Sequence, residues 1–142
     1  MFDPYEPINT ARTVQFMNLD YVVLTSVDRD DLDDGGSSHI AKTVIEIRSM
    51  NPEITIEVLS PDFKGDLFYL DAIIESGLDV YSHNIETVER LTPTVRDPRA
   101  GYDQTLTLLN HARKNNVIVK SGMMLGLGES RDEVITTMKD LK

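Results

Sequence analysis

Strand-like and helix-like hydrophobic patterns alternate along this 142-residue chain, and the alternation limits the folds that it can adopt. Four short segments are rich in apolar and β-branched residues, which is typical of strands, and the first of them (YVVLTSV) is almost continuously apolar, which indicates a strand buried on both faces. These segments cover residues 21–27, 54–59, 78–82 and 117–125. Between them, apolar residues recur every three or four positions, which indicates amphipathic helices. Strands that alternate with helices imply a parallel sheet with right-handed crossovers.

Helix boundaries follow from residues that begin or end helices. Pro7 suits the first turn of a helix, because a proline there loses no hydrogen bond. Ser37 or Ser38 can cap a second helix through its hydroxyl. Ser130 and Glu133 have the spacing of a capping box, which predicts the start of the last helix. The residues of that helix that we expect to face inward are Val134, Ile135, Met138 and Leu141.

The fold class is therefore α/β, and both a doubly wound sheet and a barrel fit the pattern. A complete eightfold (β/α) barrel takes about 250 residues, so four βα units amount to about half of one. No linker, repeat or low-complexity segment divides the chain, and we expect one domain over residues 1–142. Four units leave the inner face of a barrel uncovered. The residues expected on that face are Val22, Leu24, Ile56, Val58, Val80 and Met124.

Composition excludes several classes of function. A net charge of −10 and a pI near 4.6 argue against nucleic-acid binding, which depends on clustered Lys and Arg. No apolar run approaches the roughly 20 residues that span a bilayer, and the first residues lack the pattern of a signal peptide. We therefore expect a soluble intracellular protein with no membrane or nucleic-acid partner.

Cysteine is absent from the sequence. This absence excludes disulfides, zinc–thiolate sites, cysteine nucleophiles and thiolate-held iron–sulfur clusters within this chain. The three histidines, His39, His83 and His111, lack the spacing of a metal site such as His-Glu-x-x-His. We expect no metal site built from this chain alone.

Polar residues follow the predicted strands at their carboxyl ends, where α/β proteins bind ligands. Thr25 and Ser26 end the first strand. Asn84 and Glu86 follow the third strand at alternate positions, so an extended chain would place both on one face, where they could grip the two hydroxyls of a ribose. Alternatively, both could cap the next helix or bond local backbone. Lys120 could form a Schiff base with a carbonyl substrate, or serve as an ion-pair partner or anion ligand.

Two loops match known ligand motifs only in part. The acidic loop over residues 28–36 fails the EF-hand pattern, since Leu32 replaces a ligand and no Glu stands at the twelfth position, so we expect a solvated loop. Residues 126–129 (GLGE) lack the third Gly of the dinucleotide fingerprint, whose place Arg131 takes. A tight turn between strand and helix is the simpler interpretation.

Five segments together resemble consecutive blocks of lipoyl synthases, which are radical S-adenosyl-L-methionine (SAM) enzymes. They are YVVLTSVDRDDL followed by DDGG, EVLSPDFKGDL, DVYSHNIETVERL, VRDPRAGYDQTL and KSGMMLGLGES, and the resemblance runs from about Glu6 to Lys142. It implies a partial (β/α) barrel of the radical SAM type. The complete family enzyme is a sulfurtransferase that inserts two sulfur atoms, at C6 and C8 of a protein-bound octanoyl group, with SAM and 4Fe–4S clusters as cofactors.

The same resemblance implies which residues hold SAM. Thr25 and Ser26, after the first strand, take the place that binds the methionine part of SAM. Asn84 and Glu86, after the third strand, take the place that binds the ribose and the carboxylate of SAM. Two residues of the fourth strand, and a methionine beside the adenine, complete the set. These seven residues are Thr25, Ser26, Asn84, Glu86, Lys120, Ser121 and Met124.

By resemblance, the partners are octanoylated lipoyl-domain proteins, namely the E2 subunits of 2-oxoacid dehydrogenases and the H protein of glycine cleavage. Arg96 and Arg99 are candidate contacts for these acidic domains or for the substrate backbone; alternatively, both are ordinary surface residues. The compartment would be the bacterial cytoplasm or the mitochondrial matrix. Because the family's cysteine sets lie upstream of the region matched here and its last strands lie downstream, we expect a central barrel section that is inactive alone.

Two other functions fit parts of the sequence. A Schiff-base aldolase-like barrel would use Lys120 as its nucleophile and an acid such as Glu86, and needs neither metal nor cysteine. A non-catalytic α/β module would oligomerise to cover its open sheet edges. Trapping with borohydride would favour the first, and a stable dimer without affinity for SAM would favour the second.

We expect this polypeptide to bind no stable 4Fe–4S cluster after reconstitution with iron and sulfide, because His and carboxylate side chains lack the softness of the thiolates that hold such clusters. Iron and sulfide analysis together with electron paramagnetic resonance measures this. A 4Fe–4S cluster at full occupancy would contradict the prediction.

Overall fold

Four parallel strands form one sheet, in the order β1-β2-β3-β4, in the computed structural model, which describes residues 3–142. The strands are β1 (Tyr21–Thr25), β2 (Thr55–Leu59), β3 (Val80–Ser82) and β4 (Ile118–Lys120). The helices are α1 (Glu6–Met17), α2 (Ser37–Met50), α3 (Leu67–Glu75), α4 (Thr92–Val95), α5 (Tyr102–Lys114) and α6 (Arg131–Asp140). Short 3₁₀ turns cover Phe63–Gly65 and Glu89–Leu91.

The strand order distinguishes a barrel from a doubly wound sheet. Each strand lies beside the next one along the chain, without the reversal of order that defines a doubly wound sheet. Right-handed crossovers then place the connecting helices on the same face of the sheet. The predicted α/β class is confirmed, and the architecture is four consecutive units of a (β/α) barrel.

All four predicted strands are shorter in the structure, and the first and the fourth end earlier than predicted. The first ends at Thr25 instead of residue 27, because its register partner Leu59 is the last residue of β2. The fourth covers only Ile118–Lys120 of the predicted 117–125. Beyond Lys120 the chain pairs with the segment after β3 through a single bridge, Glu86 to Met123. Apolar content therefore predicted the positions of the strands correctly, and pairing set their ends.

The helix caps are partly as predicted. Ser130 and Glu133 form the capping box at α6, since the Ser130 hydroxyl accepts the Glu133 N–H at 3.3 Å and the Glu133 carboxylate accepts the Ser130 N–H at 2.7 Å. The prediction at α2 is wrong, because neither Ser37 nor Ser38 caps it. The helix begins at Ser37, and the Asp34 carboxylate accepts the N–H of Ser38 at 3.0 Å.

The hydrophobic core lies between the sheet and its helices. Strand residues point to opposite faces in alternation, and β1 and β2 direct one set toward α1, α2, α3 and α5. The fully buried side chains of this layer include Val44, Ile47, Ile56, Val58, Leu70, Ile73, Tyr81 and Leu108. None of the helices in residues 3–142 is long and apolar enough to cross a membrane.

For β1 and β2, the prediction assigned side chains to the wrong face of the sheet. Val22 and Leu24 pack against the core, and Ile56 and Val58 are buried within it, so these four residues face the helices instead of the barrel interior. Alternation and register place a different set on the inner face: Tyr21, Val23, Thr25, Thr55, Glu57, Leu59, Val80, Ser82, Ile118 and Lys120. The apolar run of β1 carries no alternation, so its sequence gave no basis for choosing between the faces. In β2, Thr55 and Glu57 alternate with apolar residues and indicated the inner face, a signal that the prediction did not use.

Helix α6 also differs from the prediction. Ile135 and Met138 are exposed, although Leu141 packs against the core. The helix follows β4, which is the last strand within residues 3–142. Its apolar residues therefore have no further strand of this part of the chain to pack against.

We expect the 142-residue chain to bind ANS and to self-associate, because Val23 and Ile118 on its inner face are 47% and 66% exposed. Replacing both by Thr should lower ANS fluorescence and shift sedimentation toward the monomer with little loss of stability. In contrast, Ile56→Ala in the buried core should lower the free energy of unfolding by about 2–5 kcal/mol. A monodisperse wild-type monomer that binds no ANS would contradict the prediction.

Candidate functional site

Two adjoining cavities lie at the carboxyl ends of the strands. The main cavity, of about 380 Å³, is lined by the loops after β1, β2 and β3 and by residues near the end of β4. The side cavity, of about 360 Å³, lies between the end of β1 and helix α2. The two share Arg29, Leu32 and Gly35, so the loop after β1 forms the wall between them.

The structure divides the residues predicted to hold a cofactor into three groups. Glu86 and Met124 line the main cavity. Thr25 and Ser26 line the side cavity. The remaining three residues, which contribute to neither of these cavities, are Asn84, Lys120 and Ser121.

Glu86 has an unusual backbone conformation that breaks the predicted alternation. Its φ of +65° lies in the left-handed region, which is uncommon for a residue with a side chain. Two hydrogen bonds hold it there, since its N–H donates to the Gly122 carbonyl at 3.0 Å and its carbonyl accepts the Met124 N–H at 2.8 Å. The segment is therefore not extended, and Glu86 lines the main cavity while Asn84 does not.

Ser121 and Asn84 lie where the ends of β3 and β4 meet. The Ser121 hydroxyl accepts the backbone N–H of Ile85 at 3.1 Å. Gly122 leaves room for the Asn84 amide, because a Cβ at position 122 would lie 2.9 Å from the amide oxygen. This arrangement joins the two strand ends and supports the backbone that carries Glu86 to the cavity wall.

His83 is a site residue whose role the sequence did not reveal. Only 5% of it is exposed, its Nδ1 lies 2.9 Å from the Ser60 carbonyl, and it lines the main cavity. A carbonyl oxygen only accepts, so Nδ1 carries the proton and Nε2 keeps its lone pair. Burial lowers the pKa of His83, and Arg96 lowers it further, which favours the neutral ring. Nε2 has no hydrogen-bond partner among residues 3–142, and it is therefore an acceptor for a hydroxyl or amino group of a ligand.

Arg96 and Arg99, both predicted as partner contacts, differ in their surroundings. Arg96 lines the main cavity and donates to the Thr105 hydroxyl at 3.0 Å, and it forms no ion pair with the carboxylates of the described residues. Arg99 is bound between Asp97 at 2.8 Å and Asp30 at 2.5 Å, and it holds the pKa of Asp97 at about 2. Arg96 is therefore the cation with charge to offer an anionic ligand, whereas Arg99 ties two loops together.

The acidic loop after β1 is part of the site. We expected a solvated loop, but Arg29 and Leu32 line both cavities, and Asp28, Asp30 and Asp33 line the main one. Its position at a strand end was the signal that the sequence offered. No group of three or more His, Cys, Asp or Glu residues in the described part of the chain has the arrangement of a metal site.

Lys120 points away from both cavities along the inner face of the sheet. Its Nζ lies 3.0 Å from each carboxylate oxygen of Glu57, which also accepts a hydrogen bond from the Tyr21 hydroxyl at 2.5 Å. Lys120 is thus engaged in an ion pair with Glu57 and contributes to neither of the two cavities at the strand ends. This pairing does not favour the aldolase-like alternative.

Comparison with known proteins gives a consistent family. The family model of the radical SAM superfamily matches residues 2–141. The mitochondrial lipoyl synthase of Drosophila ananassae is 59% identical over 142 residues, which are 99% of this chain and 38% of that protein. The chloroplastic lipoyl synthase of Chlamydomonas reinhardtii is 59% identical over 140 residues, or 99% of this chain and 33% of that protein.

A solved structure supports the fold. The crystal structure of methylornithine synthase superposes on 97% of this chain and 40% of its own with a TM-score of 0.75, at 16% sequence identity. Such low identity supports the architecture alone. The chain thus spans about two fifths of this neighbour and 33–38% of the two relatives named above.

We expect His83 to lower the stability of the chain in acid. Burial lowers its pKa from the usual value of about 6.5, so the unfolded chain binds more protons once the pH falls below about 6.5. The free energy of unfolding should therefore decrease as the pH falls below this value, until the folded-state pKa is also passed. In His83→Gln that part of the decrease should vanish. Urea denaturation of both proteins from pH 8 to 5 measures it, and identical pH dependences would contradict the prediction.

Proposed function

This chain belongs to the radical SAM superfamily, and we propose that it is the central barrel section of a lipoyl synthase. The observation that carries the proposal is 59% identity to lipoyl synthases over 99% of the chain. By the resemblance, the reaction of the complete enzyme is insertion of two sulfur atoms into a protein-bound octanoyl group. In that enzyme SAM supplies the radical that removes hydrogen from the octanoyl chain.

The main cavity has the donor and acceptor groups that SAM requires. The neutral His83 accepts through Nε2, and Glu86 adds a carboxylate, so hydroxyl and amino groups of a ligand find acceptors. Arg96 offers a guanidinium for the methionine carboxylate. Met124 gives an apolar surface for the adenine. These four residues would hold and orient SAM. Thr25 and Ser26 line the adjoining cavity, on the other side of the loop after β1.

The residues of this chain do not fit a 4Fe–4S cluster. Such clusters are held by thiolates, and the sequence contains no cysteine. These residues therefore contribute no ligand to a cluster. Their contribution in the proposed enzyme is to bind SAM, to position the octanoyl chain within the barrel and to keep water away from both.

The partner class proposed is a lipoyl-carrier protein bearing an octanoyl group, namely an E2 subunit of a 2-oxoacid dehydrogenase or the H protein of glycine cleavage. Arg96 lies at the cavity wall and could meet an acidic carrier or the substrate backbone. The compartment proposed is that of the carriers, either the mitochondrial matrix or the bacterial cytoplasm. The two relatives named above are mitochondrial and chloroplastic by name.

A chimera tests the proposed function directly. The aligned section of the Drosophila ananassae lipoyl synthase is replaced by residues 1–142 of this chain, and lipoylation of an octanoylated carrier domain is measured by mass spectrometry after cluster reconstitution. We expect conversion of octanoyl to lipoyl carrier. A folded chimera with both clusters that leaves the carrier unchanged would contradict the proposal.

In the same chimera, we expect Glu86→Ala to weaken SAM binding by about 1–3 kcal/mol, which is the usual cost of leaving a buried partner unpaired. We expect a loss of similar size for Asn84→Ala, but through the backbone, because the Asn84 amide lies against Gly122, whose carbonyl accepts the Glu86 N–H. Glu89→Ala is the matched control, because Glu89 is exposed on the 3₁₀ turn outside the main cavity. Isothermal titration with SAM measures all three. Unchanged affinity in both test variants would show that these residues serve only the local backbone.

A further inference from the structure

We propose that Tyr21, Glu57 and Lys120 form a polar floor across the inner face of the sheet, and that this floor limits how far an apolar acyl chain can enter the barrel. The inference rests on the proposed function, because that function supplies the acyl chain. It adds a specificity determinant that lies below the SAM-binding residues.

The three side chains span the sheet. Tyr21 lies on β1, Glu57 on β2 and Lys120 on β4, and both partners reach the same carboxylate. In the register, Tyr21 pairs with Thr55, which lies nearer the amino ends of the strands, whereas Lys120 pairs with Ser82 at the carboxyl ends. The network therefore crosses the inner face obliquely, from the lower end of β1 to the upper end of β4.

The Lys120 side chain covers β3, which lies between β4 and β2. Because β3 separates β4 from β2, the Lys120 side chain must pass over β3 to reach Glu57. Val80 on β3 is only 7% exposed, whereas Val23 and Ile118, in the same row of the register, are 47% and 66% exposed. The floor thus closes the middle of an inner face whose margins remain open.

Glu57 is ionised inside this network. Its side chain is only 3% exposed. Burial alone would raise its pKa, but hydrogen bonds from Tyr21 and Lys120 and the charge of Lys120 outweigh burial, and its pKa is lowered. The same contact with Glu57 raises the pKa of the Tyr21 hydroxyl. The floor therefore consists of an ion pair and a neutral phenol at neutral pH.

An acyl chain that enters from the cavities meets this floor end-on. Methylene groups gain free energy when they leave water for an apolar wall, but they cannot replace the hydrogen bonds of an ion pair that they separate. The chain therefore stops at the level of Lys120, in the row of the register that Thr25 and Leu59 share with it at the carboxyl ends of the strands. The distance from the cavity mouth to Lys120 then selects the chain length.

Chain-length preference tests the floor. In the chimera defined above, Glu57→Leu and Lys120→Met are combined, so that neither charge remains without its partner. Lipoyl domains that carry hexanoyl, octanoyl, decanoyl or dodecanoyl on their lysine serve as probes, and the dissociation constant of each is measured by fluorescence anisotropy. We expect the double variant to bind the decanoyl domain roughly tenfold more tightly, relative to the octanoyl domain, than the wild-type chimera does, as burial of two further methylene groups requires.

A second variant keeps the ion pair and enlarges the cationic side chain at position 120. Lys120→Arg retains the positive charge opposite Glu57 with a larger head group, so we expect the preference to shift toward the hexanoyl domain. This variant provides the test if the double variant fails to fold, which thermal denaturation shows. Lys42→Met, on the exposed face of α2, is the matched control and should leave the octanoyl-to-decanoyl ratio unchanged.

The outcomes separate the two proposals. A wild-type chimera that folds but binds no octanoyl domain overturns the proposed function, and the floor with it. A chimera that binds and converts the octanoyl domain, but whose chain-length ratios are the same in wild type, double variant and Lys120→Arg, overturns the floor alone. A purely structural role for the network would lower the melting temperature and leave these ratios unchanged.

Discussion

Parallel pairing of consecutive strands is the constraint on which this structure depends. Right-handed crossovers between neighbouring strands place the helices on one face, so the core forms between sheet and helices. They also direct the four carboxyl ends to one edge, where the loops after β1, β2 and β3 line the main cavity. The opposite face receives the remaining half of each strand's side chains, and there Glu57 and Lys120 lie. Core, cavities and inner face thus follow from one topology.

The sequence predicted element types better than orientations. Strand positions came from β-branched apolar runs, and the capping box of Ser130 came from two side chains that bond each other's backbone, so both depend on local chemistry. The inward face of β2 depends on which side the helices cover, and in its letters ITIEVL the polar residues Thr55 and Glu57 alternate with the apolar residues Ile54, Ile56 and Val58. The one charge in that run, Glu57, was a usable signal, because a carboxylate does not enter an apolar core without partners.

The sequence predicted those site residues whose role depends mainly on their position at the end of a strand. Asn84 and Glu86 were predicted together from their alternate spacing after a strand, and Met124 from the family resemblance. Glu86 and Met124 line the main cavity, whereas the left-handed backbone of Glu86 removes the alternation that paired it with Asn84. His83 escaped notice because its role depends on a distant partner: the Ser60 carbonyl, which fixes the tautomer, comes from another strand end. Contacts of this kind join residues that are distant in the sequence, so the spacing of neighbouring residues does not predict them.

The chemistry of the cavity wall is asymmetric in a way that suits a zwitterionic ligand. A neutral His83 presents Nε2 as an acceptor, and Arg96, which forms no ion pair among residues 3–142, presents a positive charge to the same cavity. If His83 were protonated, it would lose its acceptor and add a second positive charge near Arg96. Arg96 itself lowers the pKa of His83. The cation that attracts the acidic end of a ligand therefore also preserves the acceptor for its hydroxyl or amino groups, and the two recognition elements support each other.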